Sequence, residues 1–148
     1  MHAIMVETNP PLYIPDASVV MKWILTEEND VAQARQLRDD FARGTIQLEV
    51  PDHFYAEIMN ILSRHCPDHA LRFFSQLKMS TLIVNRLSIE VASLGHDLIQ
   101  KYPKISFYDA AYHALALHRQ GTFITADERY HTMTKKEGAI LLLKDYES

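Results

Sequence analysis

The chain has 148 residues, 47% of them hydrophobic and 23% charged, which suits one globular domain with its own core and excludes a disordered or fibrous protein. With 15 Lys and Arg against 19 Asp and Glu the formal net charge is −4, so this is not a chain that holds nucleic acid merely by being basic. No apolar run approaches the roughly 20 residues of a membrane span, "MHAIMVETNPP" lacks the basic and hydrophobic regions of a secretory signal, and a lone Cys66 cannot form an internal disulfide. Together these features predict a cytoplasmic protein without a membrane segment.

Residues 1–11 read as a polar, proline-containing lead-in to a single domain spanning 1–148. Leu12 to Pro15 is a short strand closed by a proline that cannot donate to a ladder, which leaves Asp16 at the strand's carboxyl end. Ala17 to Trp23 carry an apolar surface, and Glu28 to Ala42 form an amphipathic helix stopped by Gly44. "TIQLEVPDH" is extended up to Pro51 and offers Asp52 as N-cap of a helix reaching about His65, with Phe54, Ile58, Ile61 and Leu62 as its buried stripe. After Pro67 come a short helix in "DHALRFFSQLKM", a strand in "TLIVNRL", and a helix from Ile89 to Lys101 capped by Ser88. Ser106 opens the clearest helix, "SFYDAAYHALALHRQG", stopped by Gly121; then follow the strand "TFIT", a polar helix from Asp127 to about Lys136, and a last strand, "AILLL". Helices alternating with short apolar strands predict a three-layer α/β/α sandwich on a mainly parallel sheet.

Ligand sites in such sheets form beyond the carboxyl ends of the strands. Asp16 and Asp127 both fall there, although each taken singly reads first as an N-cap or turn residue. Glu57 lies about one turn from His53 and Asn60, beside the apolar stripe of its helix, where it is either a solvated acid or a partly buried one that needs a partner. Asp109 fits the N3 place of a capping box opened by Ser106 and suits the positive end of the helix, yet it stands among the small apolar residues Ala110, Ala111 and Ala114. A cluster of hard oxygen donors without matching cysteines suits Mg2+ or Mn2+ rather than zinc. Phosphodiester hydrolysis is the reaction class such a centre serves.

In "DASVVMKW", "AEIMNIL", "SFYDAAYHALA" and "TADERY", taken in this order and spacing over nearly the whole length, the chain resembles the PIN-domain ribonucleases, and more narrowly the VapC toxins of type II toxin–antitoxin pairs. The resemblance implies an endoribonuclease in which Asp16, Glu57, Asp109 and Asp127 surround one or two Mg2+ or Mn2+ ions, with Ser18, Asn60 and Thr125 supporting them. It also implies an RNA substrate, products with 5′-phosphate and 3′-hydroxyl ends, a VapB-like antitoxin partner and a symmetric homodimer. His113 stands where the family is more often apolar, and is read first as a hydrogen-bonded core histidine.

Two other readings stay open. A PIN-fold chain can serve as a metal- or RNA-binding module with little turnover. An aspartyl phosphatase would need a second aspartate two positions after Asp16, and that position is Ser18. "HCPDH" (His65 to His69) lacks the second ligand pair of a zinc site and reads as a helix junction. Lys101, Lys104, Arg129, Lys135 and Lys136 either border a groove for phosphates or are scattered surface charge.

Overall fold

The computed structural model describes residues 9–25 and 29–148. Most of the lead-in, and Glu28 at the start of the expected second helix, therefore lie outside the described residues.

Among the described residues five strands, β1 (Leu12–Pro15), β2 (Gln47–Pro51), β3 (Ile83–Asn85), β4 (Thr122–Thr125) and β5 (Ile140–Leu142), form one sheet in the order β3-β2-β1-β4-β5. Every pairing is parallel. Tyr13 lies opposite Leu48 on one side and Thr122 on the other, so β1 is central. The chain runs outward through β2 and β3 and then returns to the other flank of β1. The strand order thus reverses between β1 and β4, and a crevice opens at their carboxyl ends.

The described helices are α1 (Ala17–Met21), α2 (Val31–Ala42), α3 (Phe54–His65), α4 (Ala70–Lys78), α5 (Ile89–Lys101), α6 (Phe107–Arg119) and α7 (Glu128–Thr134). Leu48, Glu49, Val50 and Pro51 are buried in succession, and because neighbouring strand side chains point to opposite faces, both faces of β2 are covered. That is the α/β sandwich the alternation of elements predicts.

Helix α6 lies against β1, β2 and β4, with α5 packed on it. Ala110 through Ala116 are buried without a break, so this helix has no solvent face over two turns, and its alanines allow the close approach. Gln120 takes the left-handed conformation that ends α6 (φ 57°). Gly121 follows because a Cβ there would stand 2.9 Å from the Leu12 carbonyl oxygen. A bidentate pair pins the far end of α6: Arg119 Nε and Nη2 donate to the two oxygens of buried Glu49 (3.0 and 2.9 Å), and Asn85 Nδ2 adds a third bond at 2.9 Å. Burial by itself would raise the Glu49 pKa, but the Arg119 bonds and charge hold it below the usual range.

Most expected boundaries hold to within two residues, including the Ser88 and Ser106 caps. One cap differs. His53, not Asp52, stands at the head of α3, and Asp52 instead accepts from the Leu87 backbone N–H at 3.3 Å in the turn after β3. Among the described residues, no helix is long and apolar enough to cross a membrane.

Candidate functional site

Pro15 pairs with Ile124 at the last rung between β1 and β4, and the Asp16 N–H continues the ladder by donating to the Ile124 carbonyl at 3.2 Å. Asp16 is therefore fixed by the sheet before its side chain makes any contact. Its Oδ1 caps α1 by accepting from Val19 N–H (3.1 Å) and also accepts from the Ser18 hydroxyl. Its Oδ2 accepts from the Thr125 hydroxyl at 2.5 Å. Thr125 Oγ1 in turn accepts from the Asp127 N–H at 3.1 Å, and Asp127 Oδ1 caps α7 through the Tyr130 N–H at 3.0 Å. Each aspartate does cap its helix, and that role orients both carboxyls at one crevice.

Asp109 comes from the first turn of α6, where Ser106 Oγ accepts its N–H at 3.1 Å. Glu57 comes from α3. The buried Tyr112 hydroxyl donates to Glu57 Oε1 at 2.9 Å, which holds this acid across α6 one turn beyond Asp109. His53 Nε2 lies 3.1 Å from the same oxygen, near enough for an ion pair when the ring is protonated but off line for a hydrogen bond.

Asp16, Glu57, Asp109 and Asp127 line one cleft of about 380 Å³, together with Ala17, Ser18, Ile61 and Ala126. The small residues keep its floor open. Burial raises the Asp16 pKa, the hydrogen bonds from Ser18, Thr125 and Val19 oppose that, and the charge of Asp109 adds to it; the net direction is upward. Burial also raises Asp109, with the charges of Asp127 and Glu57 adding and Ser106 and His53 opposing. The acids feel one another, and a cation among them would relieve that repulsion. The donors are all carboxylate oxygens, which fits a hard divalent ion. Among the described residues, no three acidic, histidine or cysteine side chains converge closely enough to hold an ion as they stand.

Of the three supporting positions, Ser18 and Thr125 both bond Asp16. Asn60 is exposed, accepts from Arg64 Nε at 3.1 Å and lines a depression beside Glu57. His113 is fully buried, with Nδ1 accepting from the Tyr130 hydroxyl (3.0 Å) and Nε2–H donating to the Gly138 carbonyl (2.7 Å). It is a core histidine, and burial lowers its pKa. His65, Cys66 and His69 fall at the junction of α3 with a single 3-10 turn. Lys101 pairs with Glu137 at 3.3 Å and Lys136 sits over the Tyr102 ring, so these two cations are held in local contacts. Tyr112 is the site residue that sequence reasoning missed. Its place three residues after Asp109 was visible, but its bond to Glu57 spans 55 positions and depends on how α3 crosses α6.

A family model described as PIN domain matches residues 13–136. Among solved structures the chain is similar to VapC20 of Mycobacterium tuberculosis, a Sarcin-Ricin loop cleaving toxin, with 16% identity and a TM-score of 0.64 over 81% of this chain and 93% of that one. It is similar to a toxin–antitoxin complex from Klebsiella pneumoniae, with 17% identity and a TM-score of 0.65 over 93% and 99% of the two chains. The FitAcB structure from Neisseria gonorrhoeae gives 12% identity and a TM-score of 0.69 over 90% and 99%. No curated sequence relative matches at a significant level. At these identities the structural likeness carries the fold.

Proposed function

Because the chain belongs to the PIN-domain family, we propose that it is a Mg2+- or Mn2+-dependent endoribonuclease acting on RNA phosphodiester bonds, and the toxin of a toxin–antitoxin pair. The observation that carries this reading is the meeting of four carboxylates, from the ends of β1 and β4 and from α3 and α6, in one cleft at the point where strand order reverses.

Asp16, Asp109 and Glu57 would hold the cation, with Asp127 completing the cluster. A bound divalent ion there supplies charge to the scissile phosphate and lowers the pKa of a water. The chain's own residues do the arranging. Ser18 and Thr125 fix the Asp16 carboxyl by donating to both of its oxygens. Tyr112 holds Glu57 toward the cleft. Asp127, the most exposed of the four, would orient an attacking water. The strand would leave 5′-phosphate and 3′-hydroxyl ends.

A VapB-like antitoxin partner and a homodimer belong to the same proposal. The Klebsiella pneumoniae relative is a toxin–antitoxin complex, and that of Rickettsia felis is a VapBC2 bound to a promoter DNA fragment. In this chain an apolar groove of about 700 Å³, with Trp23, Phe41, Phe73, Leu77 and Met79 on its walls and Arg35 and Arg38 beside them, offers surface of the kind such a partner covers. Single-domain organisation over 1–148 is part of this reading.

A second reading, a PIN-fold module with little turnover, draws on the spacing of the acids, which as they stand do not close on an ion. The test is RNA cleavage by the purified chain with Mg2+ or Mn2+, against EDTA and against Asp16→Asn. Cleavage that needs metal and is lost in Asp16→Asn supports the nuclease. Equal cleavage by both proteins overturns it, and cleavage by neither favours the module.

A further inference from the structure

The acidic cleft does not end at Glu57. Glu57 and Ile61 are a wall shared with a second depression of about 290 Å³, which His53, Asn60 and Tyr108 also line. His53 and Tyr108 in turn form the entrance to a chamber of about 330 Å³ at the carboxyl ends of β2 and β3, floored by Val91, Phe107, Ala111 and Leu115. Three depressions therefore lie side by side, from Asp127 to Arg86, each sharing two lining residues with the next.

The far chamber has the chemistry of a base pocket. Its volume is about twice the ~150 Å³ at which an apolar cavity takes a benzene ring. Tyr108, 64% exposed, stands edge-to-face to His53 at 5.6 Å, and both rings line the chamber, so aromatic surface borders it and much of the Tyr108 ring is open to a guest. Asp52 and Asn85 stand on its wall. A carboxylate there suits an exocyclic amine and repels a phosphate. Arg86 lines the same chamber, is exposed, and has no ion-pair or hydrogen-bond partner among the described residues. Asp52 and Asn85 each already have one protein partner, the Leu87 N–H and Glu49, so Arg86 is the group that an aliphatic peptide side chain would leave unanswered.

We propose that this chamber is a nucleobase subsite: one unstacked base of a single-stranded RNA turns in against Tyr108 and His53, while Arg86 meets a neighbouring phosphate. The proposal rests on the ribonuclease reading, since it supposes that the same strand crosses the four acids. Single-stranded RNA is recognised in this manner elsewhere, by splayed bases stacked on aromatic rings. Tyr108 immediately precedes Asp109 on α6, so the base-binding ring and one acid are carried by a single turn.

The test uses the full chain and a short single-stranded RNA in which one 2-aminopurine is walked along the sequence. At one position its fluorescence is expected to fall on binding. An abasic residue at that position should weaken binding by about 5- to 150-fold, the range for one stacked base. Tyr108→Ala should weaken it similarly and abolish the quench, Tyr108→Phe should retain both, and the abasic RNA should cost Tyr108→Ala nothing more. Because Tyr108 is exposed, Tyr108→Ala gives up little buried surface beyond its ring contact with His53, and Tyr108→Phe keeps that contact.

Equal affinity of wild type and Tyr108→Ala for intact and abasic RNA overturns the subsite even where cleavage is normal. A chain that dimerises over Tyr108 and then excludes RNA overturns it as well. Conversely, if Asp16→Asn cleaves as fast as wild type while the Tyr108 cycle behaves as expected, the nuclease reading fails and the base pocket stands as that of a binding module.

Discussion

The Thr125 hydroxyl donates to Asp16 Oδ2 at 2.5 Å and, through its other side, accepts the Asp127 N–H at 3.1 Å. A neutral side chain thereby sets the spacing of two carboxylates from neighbouring strand ends. It is almost fully buried, so neither bond has a ready water substitute. Thr125→Val keeps the shape and removes both bonds. We expect a loss of about 1–2 kcal/mol in urea denaturation and a weaker Mn2+ response in calorimetric titration. Thr125→Ser should recover most of each. A full metal response in Thr125→Val would show that the bridge does not set the site.

Burial and neighbouring acids raise Asp109 in the folded chain. A carboxyl whose folded pKa lies above its unfolded value contributes stability below the unfolded value, about 3.9, and that contribution is lost as pH rises through the folded pKa. Without metal, Asp109→Asn should therefore melt higher than wild type at pH 7, with the gap narrowing toward pH 4. Asp16, Glu57, Asp127 and His53 face the group and stay unchanged in the comparison. Added Mn2+ should raise the wild-type melting temperature and reverse the order. A gap independent of pH in EDTA would contradict the raised pKa.

Glu49 is 1% exposed, whereas its partner Arg119 is about half exposed. Removing the arginine strands a buried carboxylate; neutralising the carboxylate leaves a cation that can turn to water. Arg119→Ala should thus cost more, about 3 kcal/mol against about 1–2 for Glu49→Gln. The Glu49 pKa is lowered on folding, so the pair's contribution is present above the unfolded carboxyl value, about 4.3, and disappears as pH falls through the folded one. Urea denaturation at pH 7 and pH 3 measures both the asymmetry and its loss in acid.

His113 is neutral in the core, with its pKa lowered by burial. Its share of stability is present above the unfolded value near 6.5 and is lost as pH falls from there toward the folded value. His113→Leu should flatten the dependence of melting temperature on pH between about 6.5 and 5. It should also cost about 1–3 kcal/mol at pH 7.5, because the buried Tyr130 hydroxyl loses its acceptor. An unchanged slope would mean that His113 takes up a proton in place.

The alternation of strands and helices was legible because each element carries its own period and punctuation. So were Asp16 and Asp127 at strand ends, whereas Glu57 and Asp109 joined them only through the resemblance to the PIN family. What sequence did not disclose are partners chosen by tertiary crossing. Tyr112 with Glu57, Arg119 with Glu49, and the Tyr146 and Ser148 hydroxyls that both donate to buried Asp40 are separated by 55 to 108 residues. The Asp52 cap was misread for the same reason: a local donor at the head of α3 lost to Leu87, 35 positions away in sequence. Asn60 has the spacing that sets it beside Glu57, but its bond to Arg64 depends on side-chain packing that spacing does not encode.

Helix α6 is enclosed on all sides over the two turns that follow Asp109, whereas α7, which begins just after Asp127, has seven residues and few buried ones. The two carboxylates thus sit on jaws of unequal stiffness, as in a vice with one face cast into the bench. Any tightening around a guest must come from the lighter jaw. Amide hydrogens of α6 should accordingly outlast those of α7 in deuterium exchange, and a bound cation should slow the latter far more than the former.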